Sequence, residues 1–396
     1  MSVKIGLRDD VLGVQYLRFL AAFCVVYFHT GLIAAGFAWP SWGWRDFGAS
    51  GVDLFFVISG FVMMIVTAER SPKRGAFLIR RLERIAPFYW GVTLLAVLAA
   101  AIYPQAMADS NLNLSHILLS LAFVPHEDPI HGGISSFYHV GWTLNYEMYF
   151  YVVFALLLAW KSPGRRLVGL VVWAAATSMF FLAVDPETAF VRVYTNPMLL
   201  EFVAGAALGW AYWRGFFARL SIGAAAALLI GGTAVLLAFR VGSEERVVLQ
   251  GIAATATLAG VLGFEQQGFV RRFRLGLLLG DSTYAIYLVH PMVMTAFRAG
   301  ARVLHLPVER LWLGAPLVVA MTLASVAVGV IIHLWIERPT LNWLHRKRLA
   351  AQHQPAFDEF ARFDAFVGQD VKIEHMTTGN SRLVEAPGWN VRQKAG

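Results

Sequence analysis

The sequence predicts an all-α integral membrane protein, a bundle of about ten transmembrane helices with both termini in the cytoplasm. Three observations predict it. Of the 396 residues 58% are hydrophobic and only 15% charged, with a mean hydropathy of +0.58, whereas a soluble domain carries roughly 25% charged residues. Apolar runs of about 18 to 25 residues, long enough to cross a hydrocarbon core, recur along the whole chain with short charged loops between them. Finally, the loops alternate in charge: 20 Lys and Arg fall in the set that includes the N-terminus and 7 in the opposite set. Cytoplasmic loops are the basic ones.

The spans read as 14–36, 48–68, 87–103, 139–160, 166–184, 196–213, 219–239, 247–264, 277–297 and 311–336. The first follows a short polar N-terminus and is too long for a signal-peptide core, so it is a span and not a cleaved leader. The third opens at Pro87, after a basic stretch. A further apolar piece, Leu112–Val124, is short for a crossing and ends at Pro125; it reads as re-entrant or interfacial. Residues 1–348 thus form one polytopic domain. Residues 349–396 are polar and aperiodic and read as a largely disordered cytoplasmic tail. Within it Phe357–Val367 has apolar residues at helical spacing and suits a fragment lying on the membrane surface.

Composition also excludes classes. The net charge is +8 and the pI near 9.7, but the basic residues sit in short clusters between apolar runs, where topology demands them, and not as a nucleic-acid footprint. The single cysteine, Cys24, lies in the first span and excludes disulfides within the chain and thiolate metal sites. The loop at 104–138 carries His116, His126 and His131 at a spacing that matches no metal motif.

Ionisable residues at membrane depth cost at least about 2.5 to 3.5 kcal/mol on insertion scales and require a partner or a purpose. In the first span Arg18 and His29 are eleven residues apart, which leaves about 20° of offset and roughly 16 Å of rise, so they share one face near opposite ends. Counting from span ends puts His29, Asp53, Glu147, Glu201 and His290 in the outer half, and one shared polar cavity would hold them all. Each also has a bland reading: His29 as a satisfied core histidine, Asp53 as a helix N-terminal acid, Glu201 and His290 as interhelical hydrogen-bond partners. On the inner side Arg81 and Arg84 are one helical turn apart and suit a clamp on a phosphate-bearing ligand, or ordinary basic anchoring.

The phrases GVQYLRFLAAFCVVYFHT, GASGVDLFFVISGFVM, FLIRRLERIAPFYW, GWTLNYEMYFY, PMLLEFVAGAALG, LGDSTYAIYLVHP and IERP stand in this order between residues 13 and 339. Together they resemble the multi-span acyltransferase family 3, with the first and fourth phrases closest to rhizobial-type exopolysaccharide acetyltransferases. The family's marks, Arg and His separated by ten residues and Arg-x-x-Arg, fall here on Arg18 with His29 and on Arg81 with Arg84. The resemblance implies transfer of an acetyl group from acetyl-CoA, a co-substrate and not a resident cofactor, to a sugar hydroxyl of a surface glycan or lipid-linked oligosaccharide. It implies the bacterial inner membrane, with membrane lipids and polysaccharide-assembly proteins as neighbours.

Under that reading His29 is the base, with Asp53 or Glu147 orienting its ring; a covalent acetyl carrier at His29 stays open. Arg81 and Arg84 bind the CoA phosphates, and Arg18 lines the path of the pantetheine arm. Glu201 and His290 line the cavity. No metal is expected. Two rivals belong to other classes. A transporter or flippase of lipid-linked sugars would use the buried charges for proton coupling, but it predicts inverted repeats and broken helices that the sequence does not display. A scaffolding subunit does not explain the register of Arg18 and His29.

Overall fold

The computed structural model describes residues 11–35, 45–69, 71–103, 112–130, 132–238, 246–306 and 311–352. Among these residues the regular structure is helical, with one isolated extended bridge, between Glu127 and Ile134. The α-helices are α1 (Leu12–Ala35), α2 (Gly51–Ala68), α3 (Arg74–Ile102), α4 (Leu114–Leu121), α5 (Trp142–Leu157), α6 (Pro163–Val184), α7 (Ala189–Thr195), α8 (Leu199–Trp213), α9 (Ile222–Ala238), α10 (Arg246–Gln266), α11 (Arg274–Asp281), α12 (Thr283–Val303), α13 (Leu311–Ile332) and α14 (Arg338–Gln352).

Six stretches are long and apolar enough to cross a membrane: Leu12–Gly31, Phe47–Ala68, Arg74–Ile102, Pro163–Val184, Val248–Gln266 and Gly314–Leu349. The other four anticipated spans are helices that fall short of that standard. Three of them, α5, α8 and α9, hold 16, 15 and 17 residues, about 22 to 26 Å of rise against a hydrocarbon core near 30 Å. The fourth, α12, is 21 residues long but carries Arg298 and Arg302 in its last turns.

Several boundaries differ from the sequence expectation for local reasons. The third span does not open at Pro87: α3 begins at Arg74 and Pro87 lies inside it. The basic stretch RGAFLIRRLERIA is rich in helix formers, so Arg81 and Arg84 belong to a helix and not to a loop. The span expected at 277–297 is broken at Ser282, between α11 and α12. The last one does not stop at 336 but passes through a π-helical turn, His333–Glu337, into α14. The 112–124 segment is α4, capped by Asn113, whose side chain accepts from the backbone N–H of Ser115 at 2.9 Å and of His116 at 3.4 Å. Phe357–Val367, with the rest of the expected tail beyond Gln352, lies outside the described residues.

The most buried of the six long stretches is that of α2, 83% of it inside the protein. Its partner α8 approaches through paired glycines. A Cβ on Gly60 would stand 1.9 Å from the Phe202 carbonyl oxygen, and one on Gly205 1.8 Å from that of Val57. Only bare backbone permits that contact, the way small residues commonly seat membrane helices. At the other end of α2 the fully buried Arg166 of α6 donates to the Thr67 hydroxyl at 2.5 Å and to the Thr67 carbonyl at 2.8 Å. That bond satisfies a helix-terminal carbonyl that would otherwise be orphaned. α1 packs along α2 and also touches α10, α11, α12 and α13, so residues on its face look into the centre of the bundle.

Candidate active site

Helix periodicity gives α1 a working face, and the bundle assembles two chemically distinct regions along it. At the N-terminal end Arg18 donates to Gln15 at 3.1 Å, and Gln15 in turn donates to Asp281 at 3.3 Å, which ties α1 to α11. Arg18, Arg81, Arg84 and Glu147 line a cavity of about 130 Å³ between α1, α2, α3, α5 and α12. Glu147 accepts from the Tyr151 hydroxyl and, at 3.3 Å, from Ser59. Arg84 donates to Glu337 at 2.6 Å across to the π turn. Three guanidinium groups and one carboxylate line the cavity, with Glu337 behind Arg84 and Asp281 behind Arg18, so the lining itself presents donors suited to an anionic ligand.

At the other end of the face lie histidines. His29 is half-buried and His290 of α12 fully buried. Their ring nitrogens, His29 Nδ1 and His290 Nε2, are 3.2 Å apart, while His29 Nδ1 also lies 3.0 Å from the Val25 carbonyl and His290 Nδ1 3.3 Å from the Ile286 carbonyl. Proton bookkeeping then follows from the carbonyls, which only accept. With both rings neutral, His290 donates from Nδ1 to Ile286 and presents a lone pair at Nε2. His29 donates from Nδ1 to Val25 and His290 together, which leaves the lone pair on its Nε2. A base with that nitrogen unspent is what proton abstraction from a hydroxyl requires. A third ring, His139, stands 6.4 Å from His29 between centroids and is held by Ser135 at 3.0 Å.

Tyr287 joins the two regions. It lines the cavity, its ring centroid is 6.0 Å from that of His290, and Phe55 meets it edge-on at 5.8 Å. Its hydroxyl is fixed by the Val140 carbonyl at 2.9 Å and Thr143 at 2.8 Å.

The structure therefore brings together some of the residues singled out from sequence and separates others. Arg18, Arg81, Arg84 and Glu147 share one cavity; His29 and His290 pair at the other end of α1. The single cavity expected to hold all the outer-half residues is thus divided. The hydrogen bonds described at His29 run to Val25 and His290, not to Asp53 or Glu147. Asp53 is buried near the start of α2. Glu201 is buried on α8 against Gly251 of α10, away from the cavity wall. His116 and His126 hydrogen-bond each other at 2.7 Å, His131 lies outside the described residues, and among the described residues no group of three or more His, Cys, Asp or Glu could hold a metal ion.

Sequence reading missed His139, His333 and Glu337. The last two had a signal: an acid and a histidine four residues apart at the end of an apolar run, which a helix stacks on one face. They bond at 2.8 Å, and Glu337 also receives Arg84.

A helical membrane bundle with an oriented imidazole lone pair above a cationic cavity has the parts of a membrane-embedded acyl-transfer enzyme. The chain belongs to acyltransferase family 3: residues 11–334 match that family's model, described as an acyltransferase domain. It is 35% identical over 313 residues to the exopolysaccharide production protein ExoZ of Rhizobium meliloti, covering 77% of this chain and 93% of that protein. It is 28% identical to the acyltransferase MdmB of Streptomyces mycarofaciens, over 79% of this chain and 86% of MdmB. To the peptidoglycan O-acetyltransferase OatA of Listeria monocytogenes it is 25% identical, over 73% of this chain and half of OatA. No solved structure matches it.

Proposed function

We propose that this acyltransferase is an O-acetyltransferase of the bacterial inner membrane, moving an acetyl group from cytoplasmic acetyl-CoA to a sugar hydroxyl of an exopolysaccharide or other surface glycan. The observation that carries the reading is the face of α1: an imidazole with its Nε2 lone pair unspent stands eleven residues from an arginine that opens onto a cationic cavity. The two groups are separated by roughly 16 Å of helix rise, a distance suited to a donor with phosphates at one end and a thioester at the other. The similarity to ExoZ, an exopolysaccharide production protein, and to OatA, a peptidoglycan O-acetyltransferase, supports a glycan acceptor.

In this scheme Arg81 and Arg84 hold the CoA phosphates and Arg18 lines the pantetheine path. His29 Nε2 takes the proton as the sugar oxygen attacks the thioester carbonyl; the C–S bond breaks, and the departing CoA thiolate recovers the proton. His290 and the Val25 carbonyl steady the imidazole, and Glu147 balances the arginines. The charge asymmetry of the loops supports about ten spans with both termini cytoplasmic, which puts the arginine cavity on the acetyl-CoA side.

The test is acetyl transfer by the full-length protein in membranes, from radiolabelled acetyl-CoA to candidate glycans. His29→Ala should abolish transfer in folded, inserted protein; retained acetylation eliminates the assignment. Replacing Arg81 or Arg84 should raise the acetyl-CoA requirement more than that of the acceptor.

A further inference from the structure

We infer that Glu337 is the positioning residue of Arg84, the carboxylate that aims one donor-site guanidinium at an anionic ligand. The inference rests on the donor role proposed above for Arg84 and gives a role to Glu337, which stands in the IERP phrase but carries no assignment from it.

Glu337 is 2% exposed and closes the π turn His333–Glu337, a rare geometry that tends to occur at functional sites. Both of its oxygens are committed: Oε1 accepts from Arg84 Nη1 at 2.6 Å and Oε2 meets His333 Nδ1 at 2.8 Å. Arg84 is held from a second direction by the ring of Tyr284, 5.6 Å from its guanidinium carbon, and the Tyr284 hydroxyl donates at 2.7 Å to the carbonyl of Ile85, the next residue along α3. Arg84 Nη2 is buried and has no hydrogen-bond partner among the described residues. One edge of the guanidinium is therefore anchored and the other carries an unspent donor, the arrangement that a planar fork needs to receive a phosphate oxygen. Anchoring has a further consequence, because Arg84 lies on the wall between two spaces: the central cavity and an apolar groove of about 340 Å³ between α3, α12 and the α13–α14 rod. Without Glu337 a long, rotamer-rich side chain has two places to go.

Two physical effects of Glu337 oppose each other, which makes the idea testable. As a bare negative charge it repels an incoming phosphate, so its removal would tighten donor binding. As the anchor of Arg84 it pre-organises the site, so its removal would weaken binding.

The measurement is the Kd of radiolabelled acetyl-CoA for the full-length protein in lipid nanodiscs, with acetyl-pantetheine, which lacks the nucleotide phosphates, as the second probe. Glu337→Ala should raise the acetyl-CoA Kd about tenfold, the scale of losing a hydrogen bond between charged groups. Glu337→Gln keeps an oxygen for Nη1 and should raise it about threefold. Acetyl-pantetheine binding should move in neither. Should the alanine variant not fold, the glutamine variant carries the test. Equal losses for both probes would make Glu337 merely structural, and tighter acetyl-CoA binding would make it a repelling charge; either overturns the inference. Arg84→Ala separates the two levels: if it leaves acetyl-CoA binding unchanged the donor reading itself fails, and if it weakens binding while both Glu337 variants do not, only the positioning role falls.

Discussion

His290 offers the sharpest test of how the imidazole at His29 is set. It contributes one neutral acceptor, Nε2 at 3.2 Å, to an N–H that already has the Val25 carbonyl at 3.0 Å. A neutral hydrogen bond contributes roughly 0.5–1.5 kcal/mol net. If all of it bears on the transition state, where His29 becomes an imidazolium, the rate changes roughly twofold to tenfold. Removing the base itself costs about 10² to 10⁴ in rate. A series follows. His290→Gln can put an amide oxygen near the position of Nε2 and should stay within about threefold of the parent rate; His290→Ala should fall by up to about tenfold. His29→Ala should lose all measurable transfer. The acetyl-CoA KM should stay constant across the His290 variants, because the arginine cavity is untouched. The assay is radiolabelled acetyl transfer in proteoliposomes, normalised to folded protein by size-exclusion chromatography. A His290→Gln variant as inactive as His29→Ala would refute the reasoning, since it would make His290 a reacting group and not an orienting one.

Three further outcomes test the scaffold. Gly205→Leu drives a side chain into the Val57 carbonyl, where even a Cβ would stand at 1.8 Å; it should destabilise the α2–α8 pair by at least the roughly 1–3 kcal/mol of core overpacking, visible as a lower unfolding temperature in detergent. Arg166→Leu strips two hydrogen bonds from Thr67 and should cost about 1.5–3 kcal/mol or more of stability, while activity per folded molecule is retained. Burial, and next the proximity of His126, holds His116 below its ordinary pKa of 6.5. Because its folded-state value is depressed, its contribution is complete above 6.5 and is lost as pH falls through the folded value. Limited proteolysis of the α4–α5 connection should therefore accelerate on acidification below about 6.5, and His116→Gln should flatten that response.

What could be read from sequence, and what could not, divides along a geometric line. Hydropathy shows where chain enters and leaves lipid, so the helical class and the ionisable residues at depth were legible. Counting residues also gives height along a span at 1.5 Å per residue. It gives rotation only relative to other residues of the same helix, not which neighbouring helix a face meets. Glu147 and His29 were assigned comparable heights, yet Glu147 faces the arginines while His29 faces α12; Glu201 turns to α10 instead. The π turn defeats rotation further, because its wider winding re-aims Glu337 relative to any count along α13. Basic residues carry a second ambiguity. Arg81, Arg84 and Arg166 all counted toward topology, but the first two line the cavity and the third closes the end of α2.

The same geometry explains why one helix can serve two ends of a reaction. Eleven residues make just over three full turns, so a small angular offset accompanies a large axial separation. Arg18 and His29 consequently face the same interior at different heights, and each recruits its own partners: Gln15 and Asp281 at one end, Val25 and His290 at the other. Between them the wall is aromatic, with Tyr287 and Phe55 edge to face. Under the proposed function a charged donor head would stay among the guanidinium groups, because moving its phosphates past those rings would strip them of compensation at a cost of several kcal/mol. In that proposed scheme donor grip and proton transfer would sit at different depths, and the register of α1 would keep the two in line.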